Sequence, residues 1–231
     1  MNTVEPVSLK ELIVTDYRAL MSFRVRKILM ICSNYDAFIL EEDGQIESQI
    51  YKEYIELNLS NPPQFVWVTS SSEAEKIMSA ENNHIDMVIC MYNDKDKEIF
   101  TFARDLKSKV SDNPQEKHIP FILLTHFSRE IHRRLEKQDT SYVDYVFSWN
   151  GNAELIVAIV KLFEDLINAD NDILKIGVQA ILLVEDSVRY YSTYLPELYK
   201  LVLKQSSEFL KETLNEKQKK LRKRSRPKIL L

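Results

Sequence analysis

The sequence predicts an α/β fold in which helices cover both faces of a parallel sheet. Between residues 27 and 168, five short apolar runs alternate with segments of helical periodicity. The runs consist largely of β-branched residues and leucine, which is typical of strands buried on both faces. Strand–helix repeats with right-handed crossovers give a doubly wound sheet, so we expect five parallel strands between two layers of helices.

The elements follow one another in the order that this fold requires. An amphipathic helix over 8–23, in which Ser8 and Glu11 are placed to form a capping box, precedes the first strand as an added element. Strands are predicted over 26–33, 64–68, 85–91, 120–125 and 142–148, and helices over 34–59, 73–80, 97–109, 128–138 and 152–168.

The opening pattern of the chain is repeated near its end. An apolar run over 181–184 leads into Glu185 and Asp186, just as an apolar run over 27–31 leads into Cys32 and Ser33. Such a run indicates a fully buried parallel strand, which here opens into an acidic site. A long helix over 186–214 follows the second run, and its apolar positions are Tyr190, Tyr194, Leu198, Leu201, Val202 and Phe209.

The repeat predicts the domain organisation. After the second long helix, a last apolar strand over 227–231 begins at Pro227. A lone apolar strand at a terminus is unusual, so we expect the chain to be the front part of a longer protein, cut inside a second domain. The predicted parts are a helical extension (1–26), a complete α/β domain (27–168), a linker (169–179) and the incomplete start of a second such domain (180–231).

Composition excludes several classes of protein. A net charge of −4 gives no overall attraction to nucleic acid, and three glycines are too few for a glycine-rich phosphate loop. No apolar run approaches the roughly 20 residues of a bilayer-spanning helix, and the first residues do not have the pattern of a signal peptide. We therefore expect a cytoplasmic protein whose two cysteines are reduced thiols.

Residues 27–168 resemble the receiver domain of response regulators, which implies a flavodoxin-like sheet with strand order 2-1-3-4-5. The resemblance rests on the ends of the predicted strands. The run Val-Ile-Cys-Met-Tyr-Asn places Met91 where the family has its phosphoacceptor aspartate and Asn93 two residues later. Thr125 matches the family's threonine or serine, Ser148 stands where the family has lysine, and the acidic pair falls on Cys32 and Ser33.

The replaced positions predict a receiver that does not transfer phosphate. Phosphorylation of an aspartate needs a carboxylate nucleophile and a Mg²⁺ ion held by oxygen ligands. Met91 offers a thioether, and Cys32 and Ser33 offer no carboxylate. We therefore expect a pseudo-receiver with no catalytic residues and no cofactor.

The second unit keeps Glu185 and Asp186 and so resembles the start of a true receiver, in which this pair binds Mg²⁺ once the domain is complete. On that reading the protein is a two-component signalling protein phosphorylated on its second receiver. Another interpretation remains open, because Asp186 or Ser187 suits the N-cap of the following helix.

A wider resemblance covers most of the chain. The stretches Cys-Ser-Asn-Tyr-Asp-Ala-Phe from Cys32 and Leu-Val-Glu-Asp-Ser from Leu183 are similar to the front region of large bacterial proteins, best known in the Bacteroidetes. Those proteins carry tandem receiver-like domains ahead of a pyruvate phosphate dikinase-like module that binds ATP and phosphoenolpyruvate or pyruvate. The resemblance implies a kinase-type phosphotransferase as the parent protein, with its catalytic residues outside this chain.

Two surfaces are candidates for contacts with partners. Receiver-like folds often make dimer or partner contacts through the face of the fourth and fifth strands, so residues 144–149 and the following helix are the candidate interface. Its candidate residues are Asp144, Tyr145, Phe147 and Trp149. The expected partners of the chain are another protein or a second copy, and downstream domains of the same chain. The basic block 217–226 is consistent with binding of nucleic acid or an anionic surface, but a solvated helix end is the favoured interpretation, since cations suit the C-terminal end of a helix. No membrane contact is expected.

Overall fold

The structure, a computed structural model, describes most of the chain. The described residues are 19–33, 46–57, 59, 61–80, 83–93, 98–108, 119–126, 138–211 and 224–231, without the side chains of 207–211. The predicted helix over 128–138 lies outside them except for its last residue, as does most of the predicted helix over 8–23. Residues 19–21 at the end of that predicted helix form a turn.

A five-stranded parallel sheet in the order β2-β1-β3-β4-β5 confirms the predicted fold class. The order is that of flavodoxin-like folds, with the strand order reversing beside β1. Each strand lies within three residues of its predicted bounds. The strands are β1 (Lys27–Ile31), β2 (Gln64–Val68), β3 (Met87–Met91), β4 (Phe121–His126) and β5 (Tyr145–Trp149).

The helices described between these strands agree with the prediction in type, while their ends differ. The first begins at Ile46, and residues 34–45 of its predicted range lie outside the described residues. Ser70 caps the second, because its hydroxyl accepts the Glu73 N–H, as the serine-rich sequence favours. The helices are α1 (Ile46–Glu56), α2 (Ser71–Met78), α3 (Ile99–Ser108) and α4 (Ala153–Ala169).

The three central strands are buried on both faces, which explains their unbroken apolar sequences. Every residue of β3 is buried. On one face, Leu29, Ile31, Val88 and Cys90 pack with Phe102 and other residues of α2 and α3. Because side chains alternate along a strand, Cys32 points to the opposite face from Cys90, and both cysteines are buried thiols.

A second, two-stranded parallel sheet lies after α4. A π-helical segment (Asp170–Lys175) continues directly from α4, so the stretch predicted as a linker is helical over most of its length. It is followed by β6 (Ala180–Leu182), α5 (Val188–Lys211) and β7 (Lys228–Leu230), and β6 pairs with β7 in parallel. The predicted strand–helix–strand pattern of this region is therefore present.

The contacts divide the chain into two compact units that do not follow the predicted boundaries. One consists of residues 25–158 and 185–196 and contains the five-stranded sheet. The other consists of 1–24, 159–184 and 197–231 and contains the two-stranded sheet. Two of the boundaries between the units fall inside helices, one in α4 and one in α5. The domain boundaries drawn from the sequence repeat stay a prediction.

Candidate functional site

The six positions taken from the receiver resemblance lie at or just beyond the carboxyl ends of the strands. Ile31 pairs with Cys90, and Met91 pairs with Leu124 at the end of β3. Thr125 pairs with Ser148 across β4 and β5. Open parallel sheets bind their ligands at this edge, so the sequence prediction locates these residues where a receiver would need them. The six are Cys32, Ser33, Met91, Asn93, Thr125 and Ser148.

The environment of this edge is apolar at its centre. Cys32 is 2% exposed and Met91 is 4% exposed. Thr125 is also buried, and its hydroxyl donates to the Phe147 carbonyl at 3.4 Å. Within the described residues, no group of three or more His, Cys, Asp or Glu side chains could hold a metal ion. The six candidate residues at this edge include no carboxylate, and the absence of phosphotransfer stays a prediction.

The outer edge of β5 is covered by the first turns of α5. The Ser148 N–H donates to the Ser192 hydroxyl at 2.9 Å, and that hydroxyl donates to the Val188 carbonyl. The Tyr191 hydroxyl donates to the Val146 carbonyl, and burial raises the pKa of this phenol. The Tyr191 ring also meets Phe147 edge to face, with ring centroids 5.4 Å apart. These contacts satisfy a strand edge that would otherwise be open.

The predicted interface residues have partners within the chain. Phe147 and Trp149 are buried, whereas Tyr145 is partly exposed and packs beside Phe147. Asp144 forms an ion pair with Lys107 and accepts the Phe121 N–H at 2.6 Å. Burial lowers the pKa of Lys107, although Asp144 opposes this effect. The interface itself stays a prediction, and its partly exposed members are Asp144 and Tyr145.

Glu185 and Asp186 lie in the turn between β6 and α5. The Glu185 carboxylate accepts the Ser187 N–H at 2.9 Å, and the Ser187 carbonyl accepts the N–H groups of Tyr190 and Tyr191. Ser187 is therefore at the N-cap position that the sequence allowed. Asp186 is exposed. A Mg²⁺ site at this pair stays a prediction.

Sequence reasoning missed a cluster of buried charges around Asp165 of α4. Asp165 is fully buried and accepts two hydrogen bonds from the Arg226 guanidinium, at 2.8 and 2.7 Å. It also accepts the Tyr199 hydroxyl at 2.9 Å and the Ile229 N–H at 3.0 Å. Although burial opposes it, the Asp165 carboxylate raises the pKa of Arg226, while burial and Asp165 both raise the pKa of Tyr199.

Asp172 of the π-helical segment is the second acidic centre of this cluster. It forms a 2.9 Å ion pair with Lys228, and both side chains are fully buried. Both of its oxygens lie 3.2 Å from the Met21 N–H, which donates to them. Burial lowers the pKa of Lys228. The two aspartates thus connect β7 and Met21 to the continuous helix that α4 and the π-helical segment form.

The missed cluster had a weak signal in the sequence. Arg226 was grouped with the basic block 217–226, but it is 3% exposed and is not part of a solvated surface. Residues 217–223 of that block lie outside the described residues. Asp165 lies with Lys161 and Asn168 on the side of α4 opposite its predicted apolar face, so helical periodicity marked it as a solvent-facing residue.

Comparison with known protein families finds no match to this chain. No curated protein matches its sequence either. None of the helices in the described part of the chain has both the length and the apolar character that a membrane crossing requires.

Proposed function

We propose that this chain is a non-catalytic regulatory or interaction module built on a degenerate receiver. The observation that carries the proposal is the burial of Cys32 and Met91, which lie at the ends of β1 and β3. In a receiver these positions hold the phosphoacceptor and one of the metal-binding acids. A thioether and a thiol in an apolar environment cannot replace them.

The interaction role is supported by the way in which β5 is covered. A receiver communicates with its partners through the face around its last strand, and here Tyr191 and Ser192 of α5 occupy the edge of that strand. These residues follow the Glu185–Asp186 turn directly. A conformational change at Glu185 and Asp186 would therefore be transmitted to β5 by the first turn of α5. This arrangement suits a module that relays a signal within its own chain.

The parent activity is proposed from the resemblance alone. In that setting the chain is the regulatory front of a dikinase-like phosphotransferase that uses ATP and phosphoenolpyruvate or pyruvate. On this proposal the catalytic groups of that activity lie outside this chain. Downstream domains of the same protein are the proposed partners.

A second candidate function is phosphorylation of the second receiver. It is favoured by the β6-α5-β7 unit, which repeats the connection of β1, α1 and β2 and keeps both acids. Mg²⁺ would bind Glu185 and Asp186 in the completed domain. Binding of nucleic acid through 217–226 is less favoured, since Arg226 is engaged by Asp165.

Exposure to a small-molecule acyl phosphate donor with Mg²⁺ tests the proposal. We expect no hydroxylamine-sensitive phosphoryl label on residues 27–168, while a working response regulator in the same reaction becomes labelled. The label is located by mass spectrometry of proteolytic peptides. Stable, Mg²⁺-dependent label within 27–168 would contradict the pseudo-receiver, and label confined to 180–231 would favour the second candidate.

A further inference from the structure

The two copies of the apolar run have the same hydrogen-bond position in their sheets. In the first copy, the Arg26 carbonyl accepts the N–H of Gln64, the first residue of β2. In the second copy, the Gln179 carbonyl accepts the N–H of Lys228, the first residue of β7. Gln179 thus corresponds to Arg26, and counting along both strands makes Leu182 equivalent to Leu29 and Val184 equivalent to Ile31.

The equivalent residues differ completely in exposure. Leu29 is 0% exposed and Ile31 is 2% exposed, whereas Leu182 is 69% exposed and Val184 is 83% exposed. The sequence predicted a fully buried strand over this run, so the exposure of β6 corrects that expectation. The reason is that β6 has a strand neighbour on one side only within the described residues.

The strand on the corresponding side of β1 indicates which kind of element suits the open side of β6. The Lys27 carbonyl accepts the Asp86 N–H, so residues 27, 29 and 31 direct their backbone groups at β3. Leu29 pairs with Val88, and the side chains of Leu29 and Ile31 pack with Val88, Cys90 and Phe102 of β3 and α3. Directly after β6, the Leu183 N–H donates to the Leu230 carbonyl of β7. Ala180, Leu182 and Val184 therefore direct their backbone groups at the open side.

The open side of β6 has none of the usual protection of a solvent-exposed edge. Natural edge strands carry lysine, proline or a bulge that prevents pairing with another strand. The three residues whose backbone groups face outward are alanine, leucine and valine, and Leu182 and Val184 add an apolar face beside the edge. Both features suit the addition of a strand, in which backbone bonds give affinity and alternate side chains give specificity.

We propose that the open edge of β6 binds a parallel strand–helix element with apolar residues at alternate strand positions, as β3 and α3 bind β1. This strand would pair with Ala180, Leu182 and Val184, and its helix would cover the last two side chains. The inference rests on the proposed interaction role. It adds the edge of β6 as a second interaction surface beside the one around β5. Its readout is amide exchange at β6 rather than phosphoryl label, so either idea can fail alone.

Amide hydrogen exchange on the whole chain tests the proposal, with a synthetic peptide of residues 85–108 as the probe. We expect the N–H groups of Leu182 and Val184 to exchange rapidly in the chain alone and about tenfold or more slowly when the peptide is bound. A matched peptide with Val88→Lys and Cys90→Lys should give no slowing. The Leu182→Lys chain should lose the effect, whereas Leu174→Lys, at a residue that is 77% exposed outside β6, should keep it.

Three outcomes would overturn the proposal. No slowing with the probe peptide would show that the edge does not take this kind of element. Slow exchange in the chain alone that depends on protein concentration would show that a second copy covers β6. Slow exchange that is independent of concentration would show that other residues of the same chain already cover it.

Discussion

At the scale of single residues, Asp165 has the most demanding environment in the described structure. It is a fully buried carboxylate that accepts hydrogen bonds from Arg226, Tyr199 and the backbone of Ile229. The guanidinium of Arg226 also lies over the Tyr199 ring, 5.5 Å from its centroid. A buried ion pair contributes little net stability, but the removal of one partner leaves an uncompensated charge in an apolar environment.

We predict that Arg226→Met destabilises the chain by about 3–5 kcal/mol, because Asp165 then remains charged and buried without its cation. The free energy of unfolding in urea measures the effect. Lys52→Met is the control, since Lys52 forms an exposed pair with Glu56 at 3.8 Å and its removal should change stability by at most about 0.5 kcal/mol. A similar small loss in both variants would contradict the structural role of the Asp165–Arg226 pair.

The same residues show where sequence reasoning stopped. Arg226 follows a run of lysines and arginines, and its neighbours in the chain gave no reason to separate it from them. Its partner Asp165 is 61 residues away. Burial of a charge depends on such a distant pairing, which hydrophobic periodicity along one segment does not reveal. By contrast, the positions of Met91 and Thr125 depend only on where a strand ends, and the sequence located both.

At the scale of elements, the edge of β5 and the start of α5 form one hydrogen-bonded unit. Ser192 links them, because its hydroxyl accepts from the Ser148 N–H and donates to the Val188 carbonyl. Thr193 is the next residue, and its hydroxyl likewise donates to a carbonyl four residues earlier, that of Arg189, but it is exposed. The two residues thus differ in their contact with the strand.

We predict that Ser192→Ala destabilises the chain by about 1 kcal/mol and speeds amide exchange at Ser148, because the N–H of that residue loses its acceptor. Thr193→Ala should leave exchange at Ser148 unchanged. Hydrogen exchange followed by nuclear magnetic resonance reports both. If the two alanine variants behave alike at Ser148, the attachment of α5 to β5 is not made by Ser192.

Helix α5 also shows why the inward face of an element is harder to predict than the element itself. The sequence gave the helix, and its apolar positions included Tyr190, Tyr194 and Leu201. The structure leaves these three exposed and buries Tyr191, Leu195, Tyr199, Val202 and Leu203 instead. Of the predicted set, the structure confirms the burial of Val202; Leu198 is partly buried, and the side chain of Phe209 lies outside the described residues. Because apolar residues occupy two stripes of this helix, periodicity alone could not choose between them.

At the scale of the whole molecule, the strand order brings together residues that are far apart in sequence. Cys32 follows β1 and Met91 ends β3, and these strands are neighbours at the centre of the sheet. Predicting the fold required only the alternation of strands and helices and the handedness of their connections. Predicting what the carboxyl edge does required the receiver resemblance in addition, since a sheet of this class hosts many functions.

We predict that three substitutions, Cys32→Glu, Ser33→Asp and Met91→Asp, together create a Mg²⁺-dependent stability that the natural chain lacks. The three carboxylates would gather at the ends of β1 and β3 and repel one another, so the variant should be less stable than the natural chain in the absence of the ion. A bound cation stabilises the folded state in proportion to its occupancy, by about 2.7 kcal/mol at a hundred times the dissociation constant. Thermal unfolding at increasing Mg²⁺ measures this gain.

The matched control replaces the same residues by amides, Cys32→Gln, Ser33→Asn and Met91→Asn, which have similar shapes without the charge. Mg²⁺ needs anionic oxygen ligands in near-octahedral geometry, so the amide variant should show no more response to the ion than the natural chain. If the carboxylate variant also shows none, the ends of β1 and β3 do not have the geometry of a receiver site. The likeness to receivers would then be one of sheet topology alone, and the regulatory proposal would lose its support.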